Sequence, residues 1–160
     1  NLDGSIVLAT MEGVRPLLVE IQALVNPTNF GYPKRTASGF DLNRLNLLVA
    51  VLEKRTKLKL ADKDIYVNVV GGLKLNDPAA DLAVAMAIAS ASAGRSLDEG
   101  AVVFGEIGLG GEVRSAINWQ ARIKEAKKLG FTYAIAPKVH KDKFIKGVSD
   151  MRQALIDYLQ

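Results

Sequence analysis

The central feature of this sequence is the segment Asp77–Ala93, which reads DPAADLAVAMAIASASA. Asp77 followed by Pro78 is typical of a helix start, with an N-cap residue and then proline at the first helical position. Nearly all of the side chains that follow are small or apolar, which lets neighbouring backbone approach closely. The sequence therefore predicts a central helix that runs to about Ala93 and lies deep inside the domain.

Before this helix, the pattern predicts a hairpin, a loop, a helix and a strand. Alternation over Ile6–Thr10 and the largely apolar run Leu17–Val25 indicate two paired strands. Residues 26–39 hold prolines, glycines and small polar side chains, so a loop is predicted there. Asp41 is the expected N-cap of the next helix. The β-branched run Ile65–Val70 then predicts a strand that ends at two glycines.

After the central helix, residues 101–109 and 112–116 flank Gly110-Gly111, which predicts a second hairpin. A helix from Asn118 to Gly130, a strand over Tyr133–Ala136 and a last helix over Met151–Leu159 complete the pattern. Strands mixed with helices in this order predict an α+β fold, in which helices pack on a mixed sheet.

Composition limits the class of protein. With 160 residues and 49% hydrophobic content, the chain is the size of one ordinary domain that can bury a core. It has no cysteine, which excludes disulfides and thiolate chemistry, and we expect a cytoplasmic protein. The apolar stretch over residues 82–93 is too short to cross a bilayer, so no membrane partner is expected. The start at Asn1 suggests a piece of a longer chain.

Other kinds of site have little support in the sequence. No P-loop pattern occurs, so ATP binding by that route is not expected in this segment. His140, the one histidine, lies among lysines and is predicted to be a solvated surface residue, so no metal site is expected. Asp77, Asp81 and Glu106 are explained as a cap, a helix-dipole partner and a strand end. Paired carboxylates for glycoside hydrolysis remain a minor alternative.

Two segments resemble the Lon-type peptidase domain. Residues 105–113, GEIGLGGEV, are similar to its strand-turn-strand signature, and residues 77–81, DPAAD, resemble the segment that holds its serine nucleophile. Aligning proline with proline places Ala79 at the serine, and an ungapped alignment from Gly111 to Gly130 places Gln120 at the catalytic lysine. A methyl group cannot attack a carbonyl and a neutral amide cannot accept the proton. The resemblance thus implies a ribosomal S-five domain-2-like fold without peptidase activity, over residues 1–160.

Within this group, residues 33–44 and 70–85 resemble most closely the Lon-like C-terminal domain of a family of bacterial DNA repair ATPases. That resemblance implies an upstream RecA-like ATPase and a zinc module, to which ATP, Mg and Zn would belong, and no cofactor in this segment. It also implies homohexameric rings, single-stranded or branched DNA as a partner, and contacts with recombination proteins such as RecA.

A formal charge of +4 and a pI near 9.3 are compatible with a polyanionic partner. If the implied role holds, phosphate contacts are predicted at five basic residues, with Arg15 a lesser candidate: Lys34, Arg35, Arg44, Arg114 and Arg122. Base stacking is a further possibility for Trp119, Phe30 and Tyr32. The alternatives are that these charges are only solvated, that the domain is a purely structural hexamerisation module, or that it is a peptidase with an unorthodox dyad.

Overall fold

The computed structural model describes residues 2–29 and 31–159, in which strands and four α-helices alternate. The strands of the main sheet are β1 (Ser5–Glu12), β2 (Arg15–Pro27), β3 (Arg35–Ser38), β4 (Lys63–Val69), β5 (Ala101–Val103), β8 (Tyr133–Pro137) and β9 (Ile145–Val148). A small second sheet consists of β6 (Glu106–Ile107) and β7 (Val113–Arg114). The helices are α1 (Leu42–Arg55), α2 (Asp81–Ala93), α3 (Trp119–Lys128) and α4 (Met151–Tyr158), and a 3-10 turn over Pro78–Ala80 precedes α2.

The main sheet is mixed, with the strand order β3-β4-β2-β1-β5-β8-β9. β1 and β2 form the predicted antiparallel hairpin, in which Leu8 lies opposite Val19. β4 continues the antiparallel pairing on β2, whereas β3 pairs parallel to β4. On the other side of β1, the strands β5, β8 and β9 are all parallel. This arrangement is compatible with the predicted α+β class.

The predicted central helix is confirmed. All residues of α2 from Asp81 to Ser90 are buried, and the helix packs against β1, β2, α1 and α4. Its small side chains permit this contact on several sides at once. The helix ends at Gly94, which adopts the left-handed conformation with φ 65°. At its start, Asp77 caps the 3-10 turn by accepting a hydrogen bond from the Ala79 N–H at 3.1 Å.

Two strands lie where none was predicted. β3 occupies Arg35–Ser38, inside the predicted loop 26–39, and β9 occupies Ile145–Val148 at the other edge of the sheet. Both are four residues long and are held by parallel pairing to another strand, β3 to β4 beyond α1 and β9 to the preceding strand β8. Strands this short show little hydrophobic periodicity in their sequence, because pairing with the neighbouring strand is what stabilises them. The prediction of a loop was wrong for Arg35–Ser38.

The second predicted hairpin is shorter than expected. Ala101–Val103 belongs to the main sheet, and only Glu106–Ile107 pairs with Val113–Arg114. The chain leaves the main sheet at Gly105, where φ is 153° and a Cβ atom would lie 2.9 Å from the Val113 side chain. Glycine is therefore required at the point where one predicted strand divides into two.

None of the helices described over residues 2–29 and 31–159 is both long and apolar enough to cross a membrane.

Candidate functional site

Two arginines hold the ends of the segment Asp77–Asp81, the segment that resembles the one holding the serine of Lon-type peptidase domains. Arg122 of α3 binds Asp77, and Arg44 of α1 binds Asp81. Both arginines belong to the set predicted to bind DNA. Their carboxylate partners are almost completely buried, with side-chain exposures of 3% for Asp77 and 2% for Asp81.

The pair of Arg122 and Asp77 is bidentate and buried. Arg122 Nη1 donates to Asp77 Oδ2 at 2.5 Å, and Nη2 donates to Oδ1 at 3.0 Å. The same guanidinium donates to the carbonyls of Ala9 at 2.9 Å and Ile117 at 3.0 Å. Thr10 Oγ1 donates to Asp77 Oδ2 at 2.8 Å. Burial disfavours the charged carboxylate, but the hydrogen bonds and charge of Arg122 outweigh it, so the pKa of Asp77 is lowered.

This geometry corrects the prediction for Arg122. Its side chain has no exposed surface, and its donors are occupied by protein acceptors. A phosphate could not reach the guanidinium without breaking a buried ion pair, which is strongly unfavourable. Arg122 is therefore not part of a DNA-binding surface in this structure. It joins α3, β1 and the start of α2.

Arg44 is fixed in a different way. Its Nε donates to Asp81 Oδ1 at 2.9 Å, and its Nη2 donates to Asp81 Oδ2 and, at 2.9 Å, to the Ile107 carbonyl. The Ile107 N–H donates back to Asp81 at 3.0 Å. The hydrogen bond to Asp81 raises the pKa of Arg44. The side chain remains 31% exposed, so Arg44 presents one edge to solvent while holding β6 against α2.

A cleft of about 970 Å³ opens beside this second ion pair. Its charged lining includes Arg44 and Lys74 together with Asp41, Asp81 and Glu106. Lys74 was not singled out from the sequence, although it lies in the segment 70–85 that carried the resemblance. Its position three residues before Asp77 is the signal that could have identified it. The cleft thus mixes both signs of charge.

The two positions aligned with the peptidase dyad have different environments. Ala79 is 3% exposed, and its carbonyl accepts a hydrogen bond from the Gly105 N–H at 2.8 Å. Gln120 is exposed on α3. Neither residue lines the cleft beside Asp81.

The other predicted basic residues are distributed over three elements of the fold. Lys34 is exposed just before β3, and Arg35 is half-buried, with its Nη2 donating to the Leu60 carbonyl at 2.9 Å. Arg114 is exposed in β7 and is bonded to Glu112, with Nη2 to Oε2 at 2.8 Å. Arg15 is exposed at the start of β2. Lys34 and Arg35 therefore mark one edge of the main sheet, while Arg114 belongs to the small sheet.

His140 is not the solvated residue that the sequence suggested. It is 9% exposed, and its Nε2 accepts a hydrogen bond from the Ala116 N–H at 2.9 Å. Its ring stacks on Trp119, with centroids 4.9 Å apart. Burial, and next the positive charge of Arg122, lower the pKa of His140. The lysines beside it in sequence gave a misleading signal, because they point to solvent while the histidine points inward.

The aromatic residues considered for base stacking differ in how much of the side chain is exposed to solvent. Tyr32 is 93% exposed. Trp119 is half-buried, and one of its faces is covered by His140. Phe30 lies outside the described residues. In the part of the chain that the structure describes, no group of three or more His, Cys, Asp or Glu residues could hold a metal ion.

Comparison with known proteins places these elements in a family. The model of the family described as subunit ChlI of Mg-chelatase matches residues 44–140, from α1 to the loop after β8. The chain belongs to the ChlI family. Its relatives include proteins named DNA repair protein RadA. The protein of Halalkalibacterium halodurans is 53% identical over 84% of this chain, and that of Bacillus subtilis is 47% identical over 95%. The protein of Aquifex aeolicus is 48% identical over 86% of the chain. This ChlI-family chain spans about a third of the length of these relatives, between 29% and 35%.

Proposed function

We propose that this chain is a non-proteolytic, Lon-like domain of a bacterial DNA repair and recombination ATPase, acting in DNA binding and in hexamer assembly. The observation that carries the proposal is the identity of 47–53% to proteins named DNA repair protein RadA. The match extends over 84–95% of the chain, whereas the ChlI family model matches only residues 44–140. We therefore take the function from these relatives rather than from the magnesium chelatase in the family description.

The absence of peptidase activity is proposed from the chemistry of two side chains. Ala79 offers no nucleophilic oxygen, and the neutral amide of Gln120 cannot act as the base. Ser90 is a poor substitute, since it has no exposed surface, accepts from the Gly4 N–H at 2.8 Å and donates to the Arg95 carbonyl. A peptide substrate could not reach such a serine. These features favour a binding domain over a peptidase with an unorthodox dyad.

DNA binding is proposed to occur through phosphate contacts without sequence preference. Lys34, Arg35 and Arg114 reach solvent, at least in part, and can meet a phosphate backbone. Lys74 adds a cation in the cleft, and Arg44 adds the exposed edge of its guanidinium. Arg122 is not included because it is buried and its charge is neutralised by Asp77.

The rest of the proposal concerns the longer protein. The chain covers about a third of its relatives, so an upstream RecA-like ATPase with bound Mg and ATP, and a zinc module, would lie outside it. A DNA-dependent ATPase acting in the cytoplasm with recombination proteins such as RecA follows from the same resemblance. The present domain would then be a ring-forming and DNA-contacting part.

The test is binding of single-stranded DNA across a salt series, measured by fluorescence anisotropy. The variant K34Q/R35Q/R114Q is compared with K54Q/K57Q/K59Q, which removes the same number of charges from the end of α1 and the residues after it. Affinity that falls with salt and drops further in the first variant supports DNA binding at these residues. Intact hexamers without any DNA binding would instead favour a purely structural hexamerisation module, and hydrolysis of unfolded casein would favour a peptidase.

A further inference from the structure

The positive charge of the chain is concentrated in one region. Residues 119–146, from α3 to β9, contain eight lysine or arginine residues and two acidic residues. The rest of the chain contains thirteen basic and fifteen acidic residues. The net charge of +4 therefore arises entirely from the region between Trp119 and Lys146, outside which the chain is slightly acidic. Of the basic residues predicted from sequence to bind DNA, the buried Arg122 alone lies there.

Five exposed lysines of this region form one surface, which we call the lysine surface: Lys124, Lys127 and Lys128 of α3 with Lys141 and Lys143 of the loop between β8 and β9. The helix and the loop are in contact, since Lys127 Nζ lies 3.8 Å from the Asp142 carboxylate and 5.4 Å from the ring centroid of Phe144. Lys141 and Lys143 flank Asp142 in sequence. On α3, Ile123 and Ala126 face the core, which turns the three lysines of the helix to solvent.

The backbone beneath the lysine surface is held in place. Phe144 is 8% exposed, and its N–H donates to the Asp142 carboxylate at 2.8 Å. The bond between His140 and the Ala116 N–H and the stack of His140 on Trp119 tie the same loop to the start of α3. The lysines are therefore carried on two packed elements. A fixed array of charges loses less conformational freedom on binding than charges on a mobile tail.

Most of this charge is not neutralised within the domain. Over residues 2–29 and 31–159, the ion pairs within 4.0 Å include Lys127 of this surface and none of its other four lysines. The four lysines outside that ion pair carry like charges that repel one another, so a polyanion that lies across them relieves the repulsion and is attracted. Lysine ammonium groups act as point charges on phosphates and do not read base edges in a fixed geometry.

From these observations we infer that the lysine surface binds the phosphate backbone of nucleic acid, as a contact region separate from the one near β3. The inference rests on the proposed DNA-binding function and specifies where a further set of contacts is made. Lys34 and Arg35 lie at β3, one outer strand of the sheet, whereas α3 packs on β2, β1 and β8, and the loop of Lys141 and Lys143 leads into β9, the other outer strand. Six strand spacings separate these edges, or about 29 Å at roughly 4.8 Å per strand. A strand of nucleic acid can span both regions, or contact either alone.

Three variants of the chain that each remove three positive charges test this inference. K124Q/K141Q/K143Q alters the lysine surface, K34Q/R35Q/R114Q alters the region near β3 and β7, and K54Q/K57Q/K59Q is the matched control. Binding of labelled oligothymidine is measured across a salt series, with circular dichroism to verify folding. We expect the lysine-surface variant to lose about two units of the slope of log K against log salt, since each phosphate contact on single strands contributes about 0.7. The control is expected to match the parent chain.

A second measurement identifies the contact directly. Acetylation of lysines is followed by mass spectrometry with and without oligothymidine, and we expect protection of Lys124, Lys141 and Lys143 but not of Lys54, Lys57 and Lys59. Parent-like binding by the lysine-surface variant would overturn the inference while leaving the proposed DNA-binding function in place. Absence of binding by the parent chain would overturn both. Tighter binding of polyglutamate than of oligothymidine at equal charge would also overturn the inference and indicate an acidic protein partner.

Discussion

Arg122 and Asp77, which are 45 residues apart in sequence, form a bidentate ion pair in the interior of the domain, with N to O distances of 2.5 and 3.0 Å. Because Arg122 also donates to the Ala9 carbonyl, one guanidinium links α3, β1 and the turn that begins the central helix. The carboxylate that caps this turn is thus neutralised by a side chain of α3. Arg122, which the sequence suggests is a surface cation, therefore connects elements of the core.

The first prediction concerns the stability that this pair supplies. Arg122→Met leaves the Asp77 carboxylate buried without its partner, and breaking a buried pair in this way costs about 3–5 kcal/mol. The free energy of unfolding, measured by urea denaturation, should fall by that amount. Lys124→Met, two residues further along α3 and exposed, is the control and should change stability by less than about 0.5 kcal/mol. Equal stabilities for the two variants would contradict the assignment of Arg122 to the core.

A second prediction concerns Gly39, which lies between β3 and α1 with φ +82°. A Cβ atom there would lie 2.5 Å from the Leu73 carbonyl oxygen and 2.7 Å from Val69 Cβ. Gly39→Ala should therefore destabilise the domain by more than the roughly 1–2 kcal/mol expected for a left-handed alanine alone. Gly13→Ala is the matched control because Gly13 has φ +62° but open space around it. Thermal unfolding that shifts equally in both variants would show that the close contact is absent.

The parts of the fold that could be predicted are those with local signals. The Asp41 cap, the Asp77-Pro78 start and the small side chains of α2 act within a few residues, and each lies where predicted. The hairpin of β1 and β2 carries its own turn at Gly13. In each case the physical cause is contained in the segment that it organises.

The parts that could not be predicted depend on partners outside the segment itself. β3 and β9 exist because β4 and β8 offer an edge for parallel pairing, and the burial of His140 depends on Trp119 and Ala116. Prediction of the site residues failed for the same reason. Charge alone places Arg122 and the exposed Arg114 in one class, although the first has a carboxylate partner 45 residues away and is buried.

A third prediction follows from the lowered pKa of His140. In the unfolded chain the histidine takes up a proton near pH 6.5, whereas the folded protein keeps it neutral to a lower pH. The unfolded state therefore holds more protons in this window, and stability is full above about pH 6.5 and declines as the pH falls below it. Protonation also removes the Nε2 lone pair that accepts from Ala116. The free energy of unfolding should decrease between about pH 7 and pH 5.

The control for this pH effect is His140→Gln, since the chain contains one histidine. That variant should show a flatter stability profile over the same window. Asp77 does not interfere, because its pKa is lowered from 3.8 and its stabilising effect is lost only as the pH falls through that lower folded-state value. An unchanged slope in the variant would show that His140 is not the titrating group.

The last prediction concerns the two dyad positions. Introducing a serine and a lysine at these positions, in the variant A79S/Q120K, should not produce peptidase activity. Ala79 is 3% exposed, so a serine hydroxyl there would be covered by protein. Gln120 is exposed on α3, so a lysine there would be solvated, keep an ordinary pKa near 10.4 and remain protonated at neutral pH, unable to accept a proton. The measurement is release of fluorescent peptides from labelled, unfolded casein, with the melting temperature recorded to verify that the variant folds. Release of peptides that requires both substitutions would contradict this prediction. It would show that the two positions can form a dyad and that a substrate can reach it.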